Sequence, residues 1–203
     1  MEYVPVILQG LSVTLFISIV SLLVGIIPGI SLYLGKKSKI KIFYIISTAY
    51  VEFFDGIPVI AQLFFIYYAL PMISPVFTFS SILTGIIVLS LNAAANIAST
   101  ARLQIENNFI AKDSPTTHII KVLTLSTVNV SNKVIGYSAL LSLIGLNDLL
   151  RTTNKIMSVT GTVFILLGAI AIYLVMSIVI KIIYKLLKKA FNMEYVKKPA
   201  MQK

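Results

Sequence analysis

YVEFFDGIPVIAQLFFIYYALP, residues 50–71, is apolar over most of its length, yet Glu52, Asp55, Gly56 and Pro58 crowd together near its start. What that means depends on the solvent. The apolar run reaches back to Ile42 and on to Met72. As one helix it would measure about 46 Å at ~1.5 Å per residue, against a hydrocarbon core of ~30 Å. Such a run has to tilt strongly, kink or break. The natural break is Asp55-Gly56-Ile57-Pro58. Proline disfavours helical geometry at the residue before it and suits the first turn of a new helix, and Asp55 is a fit N-terminal cap. The run is therefore expected to split into an interfacial helix at about 41–54, where Glu52 and Asp55 reach water, and a short crossing at about 57–72. One long kinked helix, its carboxylates facing a protein cavity, is the alternative. Burying two charges in lipid would cost several kcal/mol.

Composition settles the solvent. Of 203 residues, 58% are hydrophobic and only 12% are charged, with a mean hydropathy of +0.95. A soluble domain of this size leaves about 30% of its surface in water and clothes it with charge. This chain has too little charge for that and reads as an integral membrane protein. It contains no cysteine, which excludes disulfides, a thiol nucleophile and thiolate metal sites. It also lacks tryptophan, so tyrosine and phenylalanine must serve as interface anchors. The net charge of +10 fits cytoplasmic loops against anionic lipid, not nucleic acid. The N-terminal MEYVPVILQG has no basic n-region, and the stretch after it is long enough to span, so it is expected to be retained.

Working outward from 50–71, five spans are expected, at about 11–34, 57–72, 82–101, 122–146 and 159–180, in a single domain covering 1–203. Of 17 Lys and Arg, four lie in 36–41, three in 102–121 and seven from 181 onward. Alternating spans put all of these on one side, with only Arg151 and Lys155 opposite. The positive-inside rule then places the N-terminus outside and the C-terminus in the cytoplasm.

The 50–71 block resembles the second-span signature of polar amino-acid ABC importer permeases through Tyr50-Val51-Glu52-Phe53-Phe54, Gly56, Pro58 and residues 62–71. Gly10 with Thr14-Leu15 is similar to that family's opening pattern. Ser90-Leu91-Asn92 with Ala95, Ala98 and Arg102 is similar to its third span, and Ser142-Leu143-Ile144-Gly145 with Arg151 to a later one. The resemblance implies an all-α, five-span permease of the type I ABC importer kind in the bacterial cell membrane. It implies pairing with itself or with a second permease, an extracellular substrate-binding protein, and separate ATPase subunits that hold the ATP and magnesium. The chain itself would be no enzyme and would carry no cofactor. It has no P-loop and no nucleophile–His–acid set.

The chain departs from the family in its cytoplasmic connector, about 106–121. The expected Glu-Ala-Ala coupling motif falls near Ser114-Pro115-Thr116, and its glycine near Ile120. Ser114 can still cap a short helix with Pro115 at its first position, so Ser114, Pro115, Thr116, Thr117 and His118 are the ATPase-coupling candidates; an ordinary connecting loop is the other reading. The family's Arg-Gly-Thr-Pro becomes Asp55-Gly56-Ile57-Pro58, a charge reversal. Its acidic substrate position is Tyr137, which does not support a cationic solute. These losses favour a hetero-pair.

Lys133 is an ionisable group in mid-span, expected to face a cavity, water or a partner. Asn129 lies four residues before it and Tyr137 four after, on one helix face. The three form a candidate pathway stripe, or a helix–helix contact. Asn92 and Asn96 make a second stripe, which can equally serve interhelical hydrogen bonding. Asn147, Asp148 and Arg151 read as a solvated outer loop in which Asp148 and Arg151 can pair. His118, the only histidine, has no metal-ligating neighbours, and no metal is expected. The function expected is inward movement of a polar amino acid or similar small solute by alternating access. A divergent scaffold subunit that no longer transports is the alternative.

Overall fold

The chain has too few charges to clothe a soluble surface, and it folds almost entirely as helix. The computed structural model describes residues 3–106, 109–110 and 115–195. In chain order the helices are α1 (Val4–Gly35), α2 (Lys41–Gly56), α3 (Val59–Phe64), α4 (Leu70–Ile73), α5 (Ser81–Glu106), α6 (Pro115–Ser138), α7 (Leu149–Thr160) and α8 (Phe164–Ala190). Helices α1, α5 and α8 are each long and apolar enough to cross a membrane. Two further crossings arise if each bent pair, residues 41–73 and 116–160, is counted as one span, which makes up to five.

The opening stretch contains the sharpest bend. Helix α2 and residues 59–73 meet at 98°. Ile57 is extended (φ −100°, ψ 127°) and Pro58 opens the next helix, as the steric clash between a proline and its predecessor requires. Asp55 does not cap that helix. It lies in the last turn of α2, and the N-cap position belongs to Pro58, whose ring has no hydrogen-bonding group to offer. Between α3 and α4, Phe65–Ala69 form a π-helical turn in which the Leu70 N–H reaches back to the Phe65 carbonyl. Pro71 lacks an N–H and removes one regular rung there, and the shifted register accommodates the gap.

Helix α1 packs most extensively on α5. Gly25 and Gly29 face that helix: a Cβ at Gly25 would lie 2.8 Å from the Ser90 carbonyl oxygen and 2.8 Å from the Ala93 Cβ, and one at Gly29 3.0 Å from the Ile97 Cβ. Lipid tails are as apolar as leucine, so association in a bilayer relies on this kind of close backbone packing. Helix α5 forms the centre of the molecule, with Val88, Leu89, Ala93, Ala95, Ile97 and Ala98 all buried.

Helix α6 begins earlier than the span expected at 122–146. Pro115 starts it, and residues 115–121, expected in the connector, are its first turns. Proline is pre-organised for the first turn of a helix, so the chain enters α6 directly. At its other end α6 tightens into a 3-10 turn, Ala139–Ile144, and stops at Gly145, whose φ of +92° favours glycine. At the opposite pole the segment that follows α8 meets a short strand between α5 and α6. Phe109–Ile110 pairs antiparallel with Glu194–Tyr195. Lys121 Nζ donates to the Phe191 carbonyl at 3.3 Å and lies 5.8 Å over its ring. Met193 is buried beside them.

Candidate functional site

Gln62, in α3, anchors a buried polar chain. Its Nε2 donates to the Ile57 carbonyl at 2.8 Å and to that of Phe54 at 3.4 Å, exactly where the bend leaves the carbonyls of α2 without helical partners. Its Oε1 accepts from Asn92 Nδ2 at 2.7 Å. Asn92 also donates to the Val88 carbonyl at 2.9 Å, and Asn96 Nδ2 donates to the Asn92 carbonyl at 2.9 Å. Asn96 Oδ1 then accepts from Lys133 Nζ at 2.5 Å. The two asparagines are buried, at 1% and 7% exposure, so hydrogen bonding is obligatory for them.

Asn92, Asn96 and Lys133 of this chain line a cavity of about 580 Å³, together with Ser99, Tyr137, Leu140, Asp55 and Pro58, among others. Both asparagines therefore hold helices together and line the cavity as well. Asp55 reaches it from the end of α2, and Ser99 Oγ donates to its Oδ2 at 2.6 Å. Of the α6 stripe, Lys133 and Tyr137 line the cavity; Asn129 is exposed on the same helix but is not part of the lining. Gly56 closes α2 beside the cavity with open space around it. Gln62 carried no functional weight in the sequence. Its signal was a polar residue five positions after the break, in an otherwise apolar crossing.

The coupling candidates lie elsewhere. Ser114 is outside the described residues. Pro115 opens α6, Thr116 and Thr117 are exposed in its first turn, and His118 is half-buried with its Nδ1 unpartnered. They form the first turns of a continuous helix and not a separate short one. Among the described residues no group of three or more His, Cys, Asp or Glu is placed to hold a metal ion.

Asn147 is exposed in a loop as the sequence suggests, but the reading of Asp148 and Arg151 needs correction. Asp148 is fully buried and caps α7: its Oδ1 accepts from the Arg151 N–H at 2.8 Å. Arg151 Nη1 donates to the Ser142 carbonyl at 2.8 Å, and Lys155 Nζ to Asn147 Oδ1 at 2.6 Å. Thr14 Oγ1 accepts from the Leu149 N–H at 3.1 Å, and a Cβ at Gly10 would meet Thr152 Oγ1 at 2.8 Å. Gly10 and Thr14 are thus the seat on which the start of α7 rests. Replacing the capping oxygen is expected to cost about 1 kcal/mol. Asp148→Ala should lower the thermal unfolding midpoint of the purified protein, and Asp148→Asn, which keeps an acceptor oxygen, should recover most of the loss.

With this geometry in view, the comparisons with known proteins fall into place. No protein-family model matches the chain. The arginine transport system permease protein ArtQ of Bacillus subtilis is 32% identical over 164 residues, covering 73% of this chain and 74% of that protein. The chain belongs to the amino-acid ABC transporter permease family. A probable amino-acid permease of the same organism, YxeN, is 40% identical over 99 residues, which span 48% of this chain and 44% of the relative. Among solved structures, the crystal structure of an amino acid ABC transporter with histidines superposes with a TM-score of 0.80 at 25% identity, covering 93% of this chain and 95% of that one. Like these relatives, the permease described here is a multi-pass, all-α membrane protein. Gly10, Thr14, Ser142 and Arg151, four residues on which the sequence resemblance rests, meet around the start of α7.

Proposed function

We propose that this permease is the transmembrane subunit of an ABC importer that moves a polar amino acid or a similar small polar solute inward. Transport proceeds by alternating access, driven by ATPase subunits that are separate chains, with solute delivered by an extracellular binding protein. A second permease completes the pathway; the altered connector favours a different chain over a second copy. The N-terminus lies outside and the C-terminus in the cytoplasm of a bacterial cell. The spans lie at about 11–34, 57–72, 82–101, 122–146 and 159–180, with an interfacial helix at about 41–54 along the cytoplasmic surface and the connector at about 106–121 nearest the ATPase.

The observation that carries this reading is Lys133. It is exposed on the surface of α6 and holds its ammonium at a cavity edge through Asn96. A lysine on a membrane helix cannot face hydrocarbon without a cost of several kcal/mol. The face that bears it therefore suits a protein partner and a wet passage. The test is co-expression with the neighbouring transport subunits, extraction in mild detergent and reconstitution into vesicles. The ATPase is expected to co-purify, and ATP-dependent uptake should fall at least tenfold in Lys133→Ala while the complex still assembles. A complex without an ATPase would refute the importer reading. Unchanged uptake would remove Lys133 from the pathway.

A further inference from the structure

Two membrane-crossing helices end side by side at a small basic pocket. Tyr33, Lys36 and Lys37, at the end of α1, and Arg102 and Ile105, at the end of α5, line a cavity of about 230 Å³. Every charged side chain among these is a cation. The C-terminal ends of the two helices bring about half a negative charge each. The three cations outweigh them by about two charges, and the sum stays positive even with Glu106, the last residue of α5, counted in full. Tyr33 adds a second feature. It is 1% exposed, and its hydroxyl is buried with no hydrogen-bond partner among the described residues. Such a hydroxyl costs about 1–3 kcal/mol, which a ligand bringing an acceptor oxygen recovers. Lys37 Nζ lies 5.0 Å from the centroid of the same ring, so ammonium and phenol sit together.

The surroundings point to the source of that oxygen. Lipid phosphates lie where crossing helices end. Leu34 beside the pocket and Ile42 and Phe43 at the start of α2 are exposed apolar side chains. Helix α2 is held close to the pocket, since an added Cβ at Gly35 would run into Ser47 Oγ. Cations for a headgroup thus adjoin an apolar surface for acyl chains. The pocket is also smaller than the roughly 300–1,000 Å³ that encloses a whole small molecule, which suits a headgroup whose tails stay outside.

We infer that this pocket binds the phosphate of one anionic phospholipid. Lys36, Lys37 and Arg102 neutralise it, and Tyr33 donates its hydroxyl hydrogen to a phosphate oxygen. On the orientation proposed above the lipid belongs to the inner leaflet. Once bound, it bridges α1 and α5 where α5 gives way to the connector. The inference rests on α1 and α5 crossing the membrane, and not on the solute carried or on the ATPase.

The experiment uses the full-length permease in mild detergent, with any subunits that co-purify, and native mass spectrometry to count and titrate bound lipid. The probes are dioleoylphosphatidylglycerol, dioleoylphosphatidylcholine with the same tails and no net charge, and inorganic phosphate with no tails. Phosphatidylglycerol should fill one site per permease about tenfold more tightly than either of the others. Tyr33→Phe should weaken it about threefold and leave the thermal midpoint of the lipid-free protein unchanged or higher, because no partnered hydroxyl is removed. The combination Lys36→Gln, Lys37→Gln and Arg102→Gln should bring phosphatidylglycerol down to the level of phosphatidylcholine. Removing the same charge from the end of α8, with Lys181→Gln, Lys185→Gln and Lys189→Gln, should leave that site intact. If the first triple variant aggregates, the three probes on the unmodified protein and Tyr33→Phe still decide the question. Equal binding of the two lipids, phosphate binding as tightly as phosphatidylglycerol, full affinity in Tyr33→Phe, or an equal loss in the α8 variant would each overturn the inference.

Discussion

Gln62→Leu is expected to destabilise the protein by roughly 2–5 kcal/mol, because it strands two buried polar groups at once. The Ile57 carbonyl loses its donor at 2.8 Å and Asn92 Nδ2 loses its acceptor at 2.7 Å. Leucine has similar bulk, so the loss is one of hydrogen bonding and not of volume. The same amide joins the end of α2 to α5, and so the 98° bend should become less defined as well. The measurement is the thermal midpoint in detergent. A midpoint for Gln62→Leu equal to that of the unmodified protein would show that the bend is held by the proline alone.

The second large effect lies in the seam between α1 and α5. Gly25→Leu should abolish recovery of monodisperse protein, and Gly25→Ala should cost about 1–3 kcal/mol. Even a single methyl group would lie 2.8 Å from the Ser90 carbonyl oxygen and 3.3 Å from the Ala94 nitrogen, so the two backbones would have to separate. Gly136→Ala and Gly168→Ala provide the contrast. Both glycines are on helices with nothing within 4 Å of an added Cβ, and alanine there should be neutral or gain up to about 1 kcal/mol of helix propensity. Size-exclusion profiles and thermal midpoints of the four variants check this. Equal behaviour at Gly25 and Gly136 would contradict the close packing of the seam.

Much of this architecture could be read from the amino acids because lipid leaves few choices. A long apolar run has to be helical, and Pro58 after Ile57 has to interrupt it. The break was legible for that reason, whereas the capping role assigned to Asp55 was not. Which neighbour a carboxylate finds depends on α5, packed beside it, whose Ser99 lies 44 positions along the chain. The same limit applies to Asp148 and Arg151. Their spacing suggested a pair, but only the docking of α7 on Gly10 and Thr14 buries Asp148 and turns it into a cap. Lys133 stood out as a charge in an apolar helix, and its partner Asn96 was visible only as half of another stripe. Gln62 was hidden for a different reason. One amide in an apolar crossing carries no periodic signal, and its importance comes from the carbonyls that the bend exposes. Pro115 was legible as the first position of a helix, but the polar residues after it hid that this helix runs on without a break to Ser138.

The antiparallel pairing of Phe109–Ile110 with Glu194–Tyr195 has a consequence for synthesis. Segments leave the ribosome in order, and α6, α7 and α8 all lie between the two strands, so Phe109–Ile110 waits for its backbone partner until those three helices have been made. Insertion of the helices can therefore precede the closing of this latch. A reporter intended to leave this latch undisturbed belongs away from both strands.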